Sequence, residues 1–319
     1  MSIISKDISK AVALLNAEDI VAIPTETVYG LAGNIYSEKA ITSIFETKKR
    51  PFFNPLIVHI PSIEQLPNIV AYIPEKAQLL AEAFWPGPIT LVLKKLDTIP
   101  DLITGGKDTV AVRVPNHPTI LELLNQLDFP LAAPSANPFS SISPTTAEHV
   151  ETYFKDSIKM VLDGGHCTSG IESTIIGFEN DEPIIYRLGS TALEDIEAVA
   201  GKVKIKNTKE VSPDAPGMLA RHYAPKTQTI LTDDIINIVK LQGNKRIGVI
   251  VFNTKLKNPN IISQIILSET RNMAEAASKL YDALHQLDKQ HLDVIIAEQF
   301  PDYGLGKSIN DRLTRATKS

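Results

Sequence analysis

Three polar side chains interrupt strand-like apolar runs. In VAVRV (110–114), Val110, Val112 and Val114 share one face of a strand and leave Arg113 on the other, because side chains alternate with period two. LIVHI (56–60) sets Leu56, Val58 and Ile60 against His59, and IIYRL (184–188) sets Tyr186 and Leu188 against Arg187. A guanidinium on an otherwise buried strand is costly unless paired, so each arginine needs an anion. Two readings stand: a partnered structural arginine at an edge strand, or a concave sheet face that takes carboxylate and phosphate groups.

The loops add hydroxyls and cations. PTETVYG (24–30) follows a strand and presents two threonine hydroxyls before a glycine. KKR (48–50) ends a helix, where cations oppose the helix dipole, but Pro51 and Asn54 then turn the chain straight into strand 56–60. APSANPFSSISPTTAEH (133–149) is dense in Ser, Thr and Asn, and Thr145 with Glu148 forms a capping box. A hydroxyl-rich loop feeding a helix N-terminus can seat phosphate, although capping alone explains such runs.

Other signals carry less. GLGKS (304–308) resembles the end of a phosphate-binding loop, but Pro301 stands where that motif needs its leading glycine. His166 and Cys167 are neighbours in sequence, which does not make a dyad, and a lone small cysteine is a packing residue. The seven histidines show no metal-ligand spacing.

Short apolar strands alternating with amphipathic helices must position these groups, the pattern of an α/β protein. Strands are predicted at 20–23, 56–60, 90–93, 110–114, 130–133, 159–163, 173–176 and 184–188. Helices are predicted at 5–16, from a Ser37 cap, and at 74–84, 118–127 and 145–154. Many strands with few helices late in the run imply a mixed sheet. Residues 201–227 hold Pro213, Pro216 and Pro225 with almost no periodicity and read as a linker. Strand 246–252, helix 273–287 and strand 292–298 then predict a small doubly wound unit, with Leu280 and Leu284 facing its core.

The chain has 319 residues, 43% hydrophobic and 22% charged, enough for two domains with buried cores. The net charge of -5 excludes a generally basic nucleic-acid coat. Residues 1–225 carry 19 basic and 27 acidic side chains against 13 and 10 in 226–319, so any polyanion site in the first part is local. A single cysteine excludes an internal disulfide and a thiolate cluster and suits a reducing compartment. Charges break the first apolar run and no stretch reaches 18 apolar residues, so a soluble cytoplasmic protein without a membrane span is expected.

PTETVYGLAGN (24–34), KKRPFFNPLIVHI (48–60), FWPGPITLVL (84–93), VAVRVPNHP (110–118), APSANPFSSISPT (133–145), GIESTII (170–176) and IIYRLGS (184–190) resemble the YrdC family in order and spacing. With SPDAPGMLARHYAPK (212–226) and the final α/β unit, the resemblance is to the family's long two-domain threonylcarbamoyl-AMP synthases. It implies an open twisted mixed sheet (YrdC-like) over residues 1–205, an ordered linker (206–227) closing over the site, and a smaller Rossmann-like α/β domain (228–319).

The implied activity joins L-threonine, bicarbonate and ATP into L-threonylcarbamoyladenylate and pyrophosphate. A separate tRNA threonylcarbamoyl transferase complex then uses the product on tRNAs reading ANN codons. Thr27, His59, Arg113, Ala133 and Ser173 are implied to hold threonine, with Arg113 clamping its carboxylate. Lys48, Arg50, Asn54, Thr109, Ser135, Asn137, Ser143, Arg187 and Tyr223 are implied around ATP. Catalysis is assigned to Lys48 and Arg50, with Mg²⁺ arriving on the nucleotide and no protein ligand to metal assigned. His59 orients threonine in this reading, a base role being the alternative.

A double-stranded-RNA-binding regulatory module of the same fold is the rival from another class, with weak RNA binding in a basic groove. A hydrogenase-maturation carbamoyl transferase is excluded, because its Cys-rich zinc fingers cannot be built from one cysteine.

Overall fold

The computed structural model describes residues 3–206 and 222–318, so most of the predicted 206–227 linker lies outside the described residues. The first sheet contains β1 (Ile3–Ser5), β2 (Val21–Ile23), β3 (Gly30–Asn34), β4 (Ile57–His59), β5 (Ile89–Lys94) and β6 (Thr109–Arg113). It is completed by β7 (Leu131–Ala132), β8 (Met160–Leu162), β9 (Thr174–Glu179), β10 (Glu182–Arg187) and β11 (Lys204–Ile205). The spatial order is β1-β8-β2-β3-β7-β4-β6-β5-β9-β10-β11. The expected mixed sheet is observed: β4 pairs β6 in parallel, while β5 pairs β6 and β9 pairs β10 antiparallel.

Helices α1 (Ile8–Asn16), α2 (Glu38–Lys48), α3 (Glu75–Phe84), α4 (Asp101–Thr104), α5 (Pro118–Asn125), α6 (Ala147–Phe154) and α7 (Leu193–Ala200) flank this sheet. One face buries Leu56, Val58, Val110, Val112 and Ile176 against Ile41, Ile44 and Phe45 of α2 and Leu80 of α3. On the other face, Ala11 and Leu15 of α1 and Ile120, Leu123 and Leu124 of α5 cover the β8-β2-β3-β7 part. Past that part, a small cluster of Ile57, Val92, Ala111 and Ile175 floors the rest of the face. The functional cavity sits over this thinly covered stretch.

Local chemistry explains most boundaries. Asp7 caps α1 by accepting from Lys10 N at 3.0 Å, and Ser37 caps α2 by accepting from Ala40 N at 3.1 Å. The helix predicted from residue 5 starts at Ile8, because residues 3–5 pair in parallel with β8. The cap predicted at Thr145 falls one residue later, on Thr146, which accepts from His149 N. Thr145 is buried, its own N–H and hydroxyl turned to the His149 ring.

The second sheet is all parallel, with β12 (Thr229–Thr232), β13 (Ile247–Val251), β14 (Ile261–Ile266) and β15 (Val294–Glu298) in the order β12-β15-β13-β14. A parallel sheet needs both faces covered. Ile235 and Val239 of α8 (Ile235–Leu241) cover one. Leu280 and Leu284 of α9 (Met273–Asp288), with Ile309 and Leu313 of α10 (Leu305–Ala316), cover the other. That cluster continues into Val28, Ile142, Ile171 and Tyr223, so α9 and α10 pack on both units. Gly170 sits at this seam with φ +68°, where a Cβ would fall 2.3 Å from the Ser278 carbonyl oxygen.

The GLGKS segment belongs to the same seam. Ser308 Oγ donates to the Gly189 carbonyl at 2.8 Å and Lys307 Nζ pairs with Glu194 at 2.7 Å. Its lysine and serine dock α10 against the first unit.

Candidate active site

The loops after β2 and β7, the ends of β4, β6 and β10, and the residues entering β9 converge on a cavity of about 50 Å³. Parallel pairing places His59 opposite Arg113, so both leave the apolar face and enter the wall as alternation predicts. Arg113 is buried and engaged on three sides. Its Nε donates to the Gly87 carbonyl at 3.3 Å, its Nη1 to Thr27 Oγ1 at 3.0 Å, and its Nη2 lies 2.6 Å from Glu26 Oε1. The lone-arginine problem posed by the sequence is thus answered by Glu26. Burial, reinforced by Arg113, lowers the His59 pKa to about 3, leaving a neutral ring. Ala133 N donates to the Ile57 carbonyl at 3.0 Å, and its side chain joins the wall.

Arg187 reaches the cavity by a different route. A bulge in β10 sets Ile185 opposite Ile176 and Arg187 opposite Ile175, so Arg187 shares the face of Ile175. Tyr186 packs against that same cluster, so the predicted opposition of Tyr186 to Arg187 does not hold. The extra residue breaks the period on which the prediction rested. Arg187 Nη2 donates to the Ser173 carbonyl at 2.9 Å and Ser173 Oγ at 3.2 Å, and Ser173 Oγ is 2.8 Å from Thr90 Oγ1.

Arg50 and Lys48 are the least compensated cations. Arg50 donates to the carbonyls of Asn54 at 3.3 Å and Pro55 at 2.8 Å. Burial, then Arg187, brings its pKa down to about 9. Lys48 Nζ donates to the carbonyls of Ser135 and Asn137, and burial followed by Arg50 pushes its pKa well below the ordinary lysine value. Among the described residues, neither side chain has a carboxylate partner. Asn54 is fully buried with both amide atoms unpartnered, and Asn137 Oδ1 is likewise unpartnered. Buried cations beside orphaned amides are chemically able to hold an anion.

The structure brings Thr27, Arg50, His59, Arg113, Ala133, Ser135, Ser173, Arg187 and Tyr223 into one wall. Lys48, Asn54, Asn137 and Ser143 are buried but outside the lining, and Thr109, half-buried at the start of β6, is also outside it. Lys48 instead ties α2 to the loop at 133–145. That loop is stitched to the 25–30 loop and the start of β3 by Leu31 N on the Pro134 carbonyl and Ala136 N on the Tyr29 carbonyl, both at 2.7 Å.

Several contributors escape sequence reasoning. Glu26 is a lone carboxylate next to Thr27, with no spacing to mark it. Glu172 lines the cavity and accepts from Ser143 Oγ at 2.6 Å, Tyr281 Oη at 2.8 Å and Arg312 Nε at 2.8 Å. Burial opposes its charge, but Arg312 and Arg187 prevail and hold its pKa at about 2. His222, beside the expected Tyr223, is a further contributor to the wall. Both are buried, the His222 ring nitrogens and the Tyr223 hydroxyl have no partner, and burial lowers the His222 pKa to about 3.

The two carboxylates near the cavity, Glu26 and Glu172, are already committed to Arg113 and Arg312. Among the described residues no cluster of three His, Cys, Asp or Glu side chains could hold a metal ion. No helix among them is long and apolar enough to cross a membrane.

Residues 13–189 match the Sua5/YciO/YrdC family described as "Telomere recombination", and residues 191–317 match the family described as "Threonylcarbamoyl-AMP synthase, C-terminal domain". The chain is 41% identical to the threonylcarbamoyl-AMP synthase of Pyrococcus abyssi, covering 96% of this chain and 93% of that one. It is 39% identical to the Bacillus subtilis threonylcarbamoyl-AMP synthase, covering 97% and 92%. The crystal structure of Pyrococcus abyssi Sua5 complexed with L-threonine superposes with a TM-score of 0.92 at 39% identity, over 99% of this chain and 97% of that one.

Proposed function

The chain belongs to the Sua5/YrdC family of threonylcarbamoyl-AMP synthases, and from that membership we propose how its cavity makes L-threonylcarbamoyladenylate. The observation that carries the mechanism is the pair of buried cations Lys48 and Arg50, without carboxylate partners among the described residues, with Arg50 lining the same cavity as a neutral His59 and a compensated Arg113. One end of the cavity is built for polyphosphate and the other for an amino acid.

Threonine sits at the Arg113 end, its carboxylate on the guanidinium and its side chain near Thr27, Ala133 and Ser173. Its neutral amine takes up carbon from bicarbonate as a carbamate, with loss of water. A carbamate oxygen attacks the α-phosphorus of ATP, the bond to the bridging oxygen breaks, and pyrophosphate leaves with the electron pair. Both reactants are anionic, so cations must offset their repulsion and the charge that builds on the phosphates. Arg50 and Arg187 face that position, and Lys48 supports it by holding the Ser135 and Asn137 carbonyls. His59, neutral and unpartnered at Nδ1, orients threonine.

Mg²⁺ bound with the nucleotide would offset phosphate charge; Glu26 and Glu172, committed to Arg113 and Arg312, would not be free to hold it. His222 and Tyr223 line the cavity, and in this reading Tyr223 closes over the nucleotide. The product passes to a transferase complex acting on tRNA. A double-stranded-RNA role lacks support, because Lys48, Arg50, Arg113 and Arg187 are buried inside the fold and not displayed on a surface.

Pyrophosphate release, measured with ATP, Mg²⁺, L-threonine and bicarbonate and with each omitted in turn, tests this reading. Release that needs both threonine and bicarbonate is the expected result. Release without threonine would mean simple ATP hydrolysis and would overturn it.

A further inference from the structure

The cation that receives threonine's carboxylate in this reading is itself held by a carboxylate. Arg113 Nη2 lies 2.6 Å from Glu26 Oε1, with the two side chains 4% and 6% exposed. The contact is electrostatic more than directional: neither Glu26 oxygen has an aligned hydrogen bond, and Arg113 Nη2 has no hydrogen-bond partner. Nη2 thus holds no aligned hydrogen bond within the protein. Nε and Nη1, by contrast, are committed to the Gly87 carbonyl and Thr27 Oγ1.

Glu26 is absent from the cavity lining, which Thr25, Thr27 and Arg113 all join. It stands behind the arginine. Its backbone is anchored there, the Glu26 carbonyl accepting from Ser169 N at 2.7 Å. A buried guanidinium needs a counter-charge to remain in place. A glutamate in front of it would compete with substrate, whereas one behind it offsets the charge and leaves donors facing the cavity.

We propose that Glu26 is a positioning residue for threonine: it holds the Arg113 guanidinium in place, so that the Nη2 hydrogens meet the substrate's carboxylate. The proposal rests on the reading of Arg113 as the carboxylate partner. Glu26→Gln keeps the size and one acceptor but removes the charge, and Glu26→Ala removes both.

The test is initial-rate pyrophosphate release, varying threonine at saturating ATP and then ATP at saturating threonine, with calorimetric titration of threonine alone. Both variants are expected to raise the threonine KM and Kd by about tenfold or more, the size of one charge-assisted hydrogen bond. The ATP KM stays within about twofold and kcat at saturating threonine within about threefold, since the phosphate end is untouched. In an Arg113→Lys background, Glu26→Gln adds less than about twofold, because both changes remove one interaction.

A parental threonine KM in Glu26→Gln overturns the proposal. So does a lowered KM, which would mean that the glutamate competes with substrate. Equal losses for threonine and ATP together with a lower melting temperature, or full additivity with Arg113→Lys, would assign Glu26 a structural role only. Where Glu26→Ala does not fold, the isosteric Glu26→Gln decides. A parent enzyme whose pyrophosphate release ignores threonine would instead refute the functional reading itself.

Discussion

Arg312 Nε lies 2.8 Å from Glu172 Oε2, so the last helix of the second unit places a cation against a carboxylate in the cavity wall of the first. The same guanidinium donates to the Leu188 carbonyl at 2.7 Å and lies 4.9 Å from the centre of the Tyr223 ring. One side chain thus touches the wall, the strand end after Arg187 and the residue that closes the cavity. The second unit completes the site physically.

Removing Arg312 should therefore cost more than a surface contact. Arg312→Ala leaves Glu172 buried beside only neutral donors and the more distant Arg187, and losing one member of a buried pair costs about 3–5 kcal/mol. Urea denaturation should record that loss, with reduced pyrophosphate release at temperatures where the variant stays folded. A loss below about 1 kcal/mol would show that the pair is not what holds the seam.

Arg50→Ala should behave in the opposite way. Its guanidinium is buried on carbonyl oxygens with no carboxylate partner among the described residues, and burial already lowers its pKa to about 9. Deleting it removes a desolvated charge, so the melting temperature stays level or rises while pyrophosphate release falls by about 100-fold or more. A large drop in melting temperature would reassign Arg50 to the scaffold.

Stability should fall on acidification from near neutrality. Burial is the leading cause lowering the pKa of His59, His222 and His285 to about 3 and of His149 to about 4. The unfolded chain binds these protons near pH 6.5, the native chain far lower. Their contribution is complete above pH 6.5 and is lost as pH falls through the native values, at up to about 1.4 kcal/mol per pH unit per histidine. Glu172, held at about 2, adds a further loss between roughly pH 4.3 and 2. Urea midpoints should be flat from pH 8 to 6.5 and decline below it; a flat profile down to pH 5 would contradict the buried neutral rings.

Gly170→Ala tests the seam sterically. At φ +68° an added Cβ meets Ser278 backbone atoms at 2.3–2.6 Å, and backbone cannot yield as a flexible side chain can. The variant should separate the two units before either melts, giving two thermal transitions where the parent gives one. A single unchanged transition would show that the seam adapts.

Much of this protein is legible in the amino-acid sequence because it is encoded locally. Period-two alternation sends Val110, Val112 and Val114 into the core and Arg113 into the cavity, and the His59 strand obeys the same rule. Capping chemistry marks the start of α2 at Ser37. The run of motifs from 24 to 190 carries the family resemblance. What the sequence leaves open is which anion answers each cation, since that depends on how distant segments cross.

Glu172 and Arg312 are 140 residues apart, and nothing in either neighbourhood names the other. Lys48, singled out from its motif, turns onto the carbonyls of Ser135 and Asn137, 87 and 89 residues away. One inserted residue in β10 reverses the face of Arg187 relative to Ile185. Local periodicity decides which side chains leave the core; only the tertiary structure, by bringing remote backbone and charge within hydrogen-bonding distance, decides what they meet there.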